Sequence, residues 1–263
     1  MSTLLVLSPY IGSIIVSLVL AEYALRRRRV PAALPFSVVA ASQALWTLGY
    51  ILELLAKSAE AKVEWDSAQY ICEFSMTIAV VIMAREFRGD RRSLPAWLWT
   101  AWLFIPALSV IAFLSEPWHH LLRRSARILP AVPYGALWYD FHWLDWVVAA
   151  WTYGGWITAV VLLLLHARRG NRLVRRQTLA LAFGCLIPIV SDTVLVFVAS
   201  PLPQRDPAPF VFLAGNLALG WGLFRGGLFE LLPVAREILV QQMSDGVVVV
   251  DPHCRVIDAN PAA

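Results

Sequence analysis

Long apolar runs alternate along this chain with short charged or Pro/Gly-rich stretches. A bilayer core takes about 20 apolar residues per helix. Seven runs approach or reach that length, near 4–25, 35–55, 67–84, 95–114, 144–165, 178–199 and 208–224. The third is the shortest and depends on Tyr70 and neighbouring polar residues lying at the interface. After Arg225 the pattern changes. Pro233 suits a helix start, and Leu231, Val234 and Ile238 recur at helical spacing, which predicts a connector helix over 227–243. Two readings of it stand side by side: an amphipathic helix on a membrane surface, or a short coiled-coil-like signalling helix in a homodimer. Beyond it, Val247–Val250 and Arg255–Ile257 are β-rich runs joined by Asp251-Pro252-His253-Cys254, a hairpin signal. Two strands cannot bury a core alone. Residues 244–263 therefore read as the opening of a larger soluble domain.

Composition supports the membrane reading. Of 263 residues 59% are hydrophobic and 15% charged, against roughly 45–50% and about 25% in soluble domains, and the mean hydropathy is +0.64. A water-soluble enzyme does not fit this composition. The basic residues orient the spans: 16 of the 22 Lys and Arg follow spans 1, 3, 5 and 7, including Arg26–Arg29, Arg85, Arg88, Arg168 and Arg172. The other six are Lys57, Lys62, Arg123, Arg124, Arg127 and Arg205. This bias places the N-terminus outside and the C-terminus in the cytoplasm. Span 1 has no positive charge before its apolar run, so it reads as an uncleaved helix. The expected architecture is an all-α integral membrane protein: a seven-transmembrane helix bundle over 1–226, N-out/C-in, in a bacterial cytoplasmic membrane, then the connector and the hairpin. Cys72, Cys185 and Cys254 show no CxxC or Cys/His spacing, so neither a disulfide framework nor a metal site is expected. The net charge of +4 is explained by the cytoplasmic arginines, and no nucleic-acid partner is expected.

Ionisable residues at membrane depth are costly and are functional candidates by default. Glu22, four residues before Arg26, reads as an i,i+4 pair. Glu53, Glu73, Asp145 and Asp192 all fall toward the outer leaflet once helix directions alternate. Four acids in one leaflet repel unless protonated or paired, and the loop after span 4 offers His119, His120, Arg123, Arg124 and Arg127 as partners. Two readings remain open: each acid ties its helix to a neighbour, or together they line an outward-facing cavity for a small ligand, cation or protons. Adjacent histidines such as His119-His120 diverge on a regular helix, which favours interfacial residues beside Trp118 over a metal site. Pro130 and Pro133 predict an extended or turn-rich path in the middle of that loop, either a lid or a simple tether. In span 7, Ala214, Ala218 and Gly222, continued by Gly226 just beyond its end, form a small-residue stripe suited to an internal contact or a dimer seam.

A retinal protein needs a lysine buried in span 7, whereas Lys57 and Lys62 both fall in the expected loop between spans 2 and 3. A transporter needs internal repeats, which seven spans do not supply. No HExxH, GxSxG or Cys/His pair occurs, so no catalytic residue is assigned and no cofactor is expected in this segment.

Several short motifs recur in an order that carries a family resemblance. They are Trp46-Thr-Leu-Gly-Tyr50 with Glu53, Trp118-His119-His120-Leu121, Tyr134-Gly135 with Trp138, Asp206-Pro207, and Asp258-Ala-Asn260-Pro-Ala262. In this order the chain resembles the N-terminal seven-transmembrane sensor region of bacterial and archaeal histidine kinases, running into the start of a PAS domain. The resemblance implies a receptor that detects a small ligand or membrane signal. It also implies relay through PAS to a histidine-kinase output that phosphorylates a response regulator; a diguanylate cyclase output is the alternative, with a small transporter-like protein behind it. The candidate ligand residues are then Glu53, Glu73, Asp145, Asp192, His119, His120, Trp46 and Tyr50, and the candidate relay residues Gly222, Gly226, Pro233 and Arg236.

Overall fold

The structure, a computed structural model, describes residues 3–90, 95–119, 122–130, 134–168, 170, 172–197, 208–226, 243–250 and 256–263. The chain divides into two units, Met1–Gly226 and Gly227–Ala263. The first contains α1 (Thr3–Arg26), α2 (Ala33–Leu55), α3 (Ala59–Phe87), α4 (Ala96–Leu114), the one-turn α5 (Glu116–His119), β1 (Arg123–Leu129), β2 (Ala136–Phe141), α6 (Trp143–Ala167), α7 (Arg172–Phe197) and α8 (Ala208–Gly226). Among the described residues, six helices are long and apolar enough to cross a membrane, and α8 adds a shorter apolar stretch, Ala208–Leu217.

The helices pack as a ring. Helix α1 packs on α2, α2 on α3, α3 directly on α6, α6 on α7, α7 on α8, and α8 returns to α1. Helix α4 lies outside the ring as a minor neighbour of α3 and α6. Its burial agrees: only Pro106, Ser109 and Phe113 are buried. Side-chain pairs fix the directions. Tyr10 meets Tyr50 while Ser37 Oγ donates to the Ala21 carbonyl at 2.8 Å, so α1 and α2 are antiparallel. Tyr10 also meets Phe210, and Asn216 reaches Ser17, so α1 and α8 are parallel. Phe74 against Trp151 and Phe87 against His166 make α3 and α6 parallel. The ring thus has one end carrying the β1–β2 hairpin and an opposite end carrying Arg26–Arg29.

The outside of the ring is apolar. Ile15, Phe104 and Ile111 are 56%, 63% and 64% exposed, and such a coat suits lipid and not water. Lipid is as apolar as these side chains, so burial gives the helices little reason to associate, and close packing with polar contacts between helices takes its place. The turn joining α1 to α2 shows one such contact. Buried Ala32 adopts φ 68°, and its N–H donates to the Glu86 carboxylate of α3 at 2.9 Å.

Three expectations are corrected. Helix α3 begins at Ala59, eight residues before the predicted edge at 67, because Ser58 caps it by accepting the Ala61 N–H at 3.2 Å. Lys62 is therefore helical and buried, not part of a loop. An all-α description is also too narrow, since β1 and β2 pair antiparallel in the segment after α4, with an irregularity between Arg124 and Arg127. Helix α7 likewise starts at Arg172, six residues before the predicted 178, because its basic first turns remain helical although they are not apolar.

In the second unit, β3 (Val248–Val250) pairs antiparallel with β4 (Val256–Ala259). Asn260 ties this hairpin together. Its Oδ1 accepts the Val247 and Ala263 N–H groups at 2.8 and 3.0 Å, and its Nδ2 donates to the Asp245 carbonyl at 2.8 Å. The predicted connector, with Pro233 and Arg236, lies outside the described residues.

Candidate functional site

At the hairpin end, α2 finishes at Leu55 and α3 begins at Ala59, so the last carbonyls of α2 face the first turns of α3. Helix-terminal carbonyls lack intrahelical donors. Lys62 supplies one: its Nζ donates to the Glu53 carbonyl at 2.6 Å and the Leu54 carbonyl at 3.3 Å, and only 1% of the residue is exposed. The Glu53 side chain is buried beside it, accepts from Gln69 Nε2 at 2.9 Å, and acts electrostatically on Lys62. Gly49 allows this approach, since a Cβ there would meet Gln69 Cγ at 3.0 Å. The result is a desolvated Glu53, Lys62 and Gln69 cluster joining α2 to α3.

An aromatic cluster borders it. Trp46 stacks on Tyr50 at 5.7 Å, Tyr10 meets Tyr50 edge-on at 5.7 Å, and Phe210 and Phe212 of α8 meet Tyr10 and Trp46. Leu7, Ile51 and Leu54 complete this core, and Tyr134 from the turn region of the hairpin packs against it. The hairpin is also tied to α3, where Tyr139 donates to Asp66 Oδ2 at 3.1 Å. It therefore reaches from α3 to the α1 and α2 side, across the end of the ring. Replacing Tyr134 with alanine removes the far attachment. Faster amide hydrogen exchange confined to the hairpin is the expected result, with the bundle helices unchanged.

The remaining candidates lie apart. Asp145 accepts the His142 backbone N–H at 2.7 Å in a capping box, so this buried carboxylate starts α6. His119 contacts Ser115 Oγ through Nε2 at 2.9 Å and Glu116 through Nδ1 at 3.5 Å. Glu116, which pattern reading passed over, also accepts the Leu122 N–H at 3.0 Å and closes this turn. Glu73 is half-buried on α3, and Asp192 lies on α7 with its side chain outside the described residues, as His120 is entirely. Trp46, Tyr50 and Glu53 are thus brought together on α2, joined by Lys62, Gln69 and Tyr134, which sequence reasoning did not select. Among the described residues no group of three or more His, Cys, Asp or Glu could hold a metal ion. Glu22 pairs with Arg26 at 3.1 Å, as its spacing predicts.

On the relay side, Gly222 and Gly226 fall in the last turns of α8. Ala214 is exposed, so at that position the small-residue stripe does not pack within the bundle. Helix α8 is held to α1 by Asn216, whose Nδ2 donates to Ser17 Oγ at 2.7 Å, both residues being buried. Polar contacts between membrane helices contribute about 0.6 kcal/mol on average and up to about 1.7. Asn216→Leu is expected to lower stability within that range, as read by denaturant titration in detergent, and Ser17→Ala combined with it should add little.

The family model for the N-terminal 7TM region of histidine kinase matches residues 9–233. The chain belongs to this family and is a multi-pass membrane protein. No curated protein matches it.

Proposed function

We propose that this chain is the signal-detecting membrane region of a sensor histidine kinase. Seven helices cross the bacterial cytoplasmic membrane with the N-terminus outside, and α8 leads through the connector to a cytoplasmic PAS domain and a kinase output. The carrying observation is the family match across 9–233, supported by a ring in which α8 runs parallel to α1 and is hydrogen-bonded to it. A signal with unequal affinity for two arrangements of the ring shifts their populations. Because Asn216 couples α8 to α1 and the aromatic cluster couples both to α2, a change at the hairpin end reaches the last turns of α8 as rotation or translation. The Trp46, Tyr50 and Glu53 face is the entry point for that signal, and a homodimer passes it to the response regulator.

This function requires the hairpin outside and the C-terminus inside. Alkaline phosphatase inserted after Pro130 should be active and green fluorescent protein fused after Ala263 should fluoresce. A phosphatase active after Ala263 would end the proposal.

A further inference from the structure

Among the described residues, the carboxylates at the end of the ring carrying Arg26–Arg29 are engaged on the α1 to α3 side. Glu22 pairs with Arg26, Asp90 with Arg85, and Glu86 accepts the Ala32 N–H. The α6–α7 turn belongs to the same end, because Glu86 reaches Ala32 and its neighbour Phe87 meets His166. Helix α6 ends at Ala167 and α7 begins at Arg172. A Cβ on Gly170 would meet Val174 Cγ1 at 2.7 Å, so this short turn is drawn tight against α7. Arg168, Arg172, Arg175 and Arg176 are thereby gathered at one corner of the bundle. All four are exposed, and among the described residues none meets a carboxylate.

On its own that arrangement is unfavourable. Arg172 and Arg176 are a like-charge i,i+4 pair. They also occupy the first turns of α7, which hold no acid although the positive end of a helix dipole favours one. An external anion relieves both problems, and the surface beside the arginines says which kind. Arg172, Arg176, Leu179, Phe183, Leu186 and Val190 follow one another at three- and four-residue steps, which is one stripe of a helix. Leu179, Phe183, Leu186 and Val190 are exposed, Phe183 by 59%, whereas Thr178, Leu181, Ala182 and Cys185 on the opposite side of α7 are buried. The stripe therefore faces lipid.

A soluble phosphate would use only the arginines, whereas a phospholipid uses the whole stripe. Guanidinium forks bind phosphate oxygens two at a time. Leu179 lies about 10 Å along the axis from Arg172, at the depth where an acyl chain begins. No acid stands in the turn to meet the ammonium of a zwitterionic headgroup, so the fit is to a headgroup of net negative charge. We propose that the α6–α7 corner holds an anionic phospholipid, with Arg172 and Arg176 on its phosphate, Arg168 and Arg175 beside them, and its chain along the outer stripe of α7. The site stands on the membrane character of the chain and is independent of the sensor reading.

The test compares thermal midpoints of the purified full chain in nanodiscs of phosphatidylcholine, with and without phosphatidylglycerol. Adding phosphatidylglycerol is expected to raise the parent midpoint by about 3–5 °C. Arg172→Gln/Arg176→Gln should lose most of that gain. Arg28→Gln/Arg29→Gln, which removes the same charge from the exposed α1–α2 turn, should keep it. In phosphatidylcholine alone the Arg172→Gln/Arg176→Gln variant should melt no lower than the parent, because a like-charge pair is gone. Native mass spectrometry should find a phosphatidylglycerol adduct on the parent that this variant lacks. Equal gains in all three proteins would mark diffuse attraction of a basic end to an anionic surface. The same gain from soluble glycerol phosphate in phosphatidylcholine nanodiscs would mark an anion site that makes no use of the stripe. No gain for the parent would mean that the arginines are answered from within the chain. Each of these results overturns the proposal, and none touches the sensor reading, since no signalling output is read.

Discussion

Glu53→Leu is expected to destabilise the bundle by about 3–5 kcal/mol, and Glu53→Leu with Lys62→Met to recover most of that loss. Lys62 is 1% exposed, and its ammonium is held by two α2 carbonyls beside the Glu53 side chain. Removing the carboxylate leaves the buried ammonium with its two carbonyl acceptors but no nearby negative charge, and takes the acceptor from Gln69 Nε2. Replacing both charges by apolar groups of similar length removes the problem, which is why the double variant recovers. Chemical denaturation of the four members of this cycle in detergent measures the coupling. A single variant as stable as the parent would show that the pair contributes nothing.

Gly155→Val is expected to cost about 3 kcal/mol, near the upper end of the usual overpacking range. A Cβ at Gly155 would lie 2.4 Å from Thr77 Cγ2 and 3.7 Å from Trp102 Cζ2, so either Thr77 turns its methyl away or α3 and α6 separate to admit it. Those two helices close the ring past α4, and Trp151 ties α4 to α6 by donating to the Trp102 carbonyl at 2.9 Å. Thr77→Ser deletes the clashing methyl and should return part of the stability. Equal denaturation midpoints for Gly155→Val and the parent would contradict the close α3–α6 contact.

The sequence made the membrane character legible because hydropathy over about 20 residues reports lipid exposure directly. It also pointed to Glu53, since a carboxylate in an apolar run stands out. Its partners were hidden by the same rule. The first turns of α3 contain Glu60, Lys62, Glu64 and Asp66, which a hydropathy window reads as loop, although Lys62 and Gln69 turn inward against α2. Asp145 looked like a site residue for its depth, yet its position three residues after His142 is a helix-start signal as well. The hairpin had turn residues at Pro130 and Pro133 and an aromatic strand at Leu137–Tyr139, but its pairing depends on a register that no local pattern specifies. The ring order, with α4 outside, could not be read from the spans, because apolar composition reports exposure to lipid and not which neighbour a helix meets. Asn260 was noticed as part of a motif, and its side-chain hydrogen bonds explain that motif as the fastening of the β3–β4 hairpin.

The most direct measurement is autophosphorylation, in membrane vesicles, of a chimera in which residues 1–243 replace the membrane region of a histidine kinase. Parent, Asn216→Leu and Tyr134→Ala chimeras are compared at equal amounts of folded protein. The expected result is a several-fold change in phosphorylation rate for Asn216→Leu, because α8 is released from α1, and a change for Tyr134→Ala, because the hairpin no longer spans the ring. Identical rates in all three folded chimeras would contradict a sensory region that works through α8.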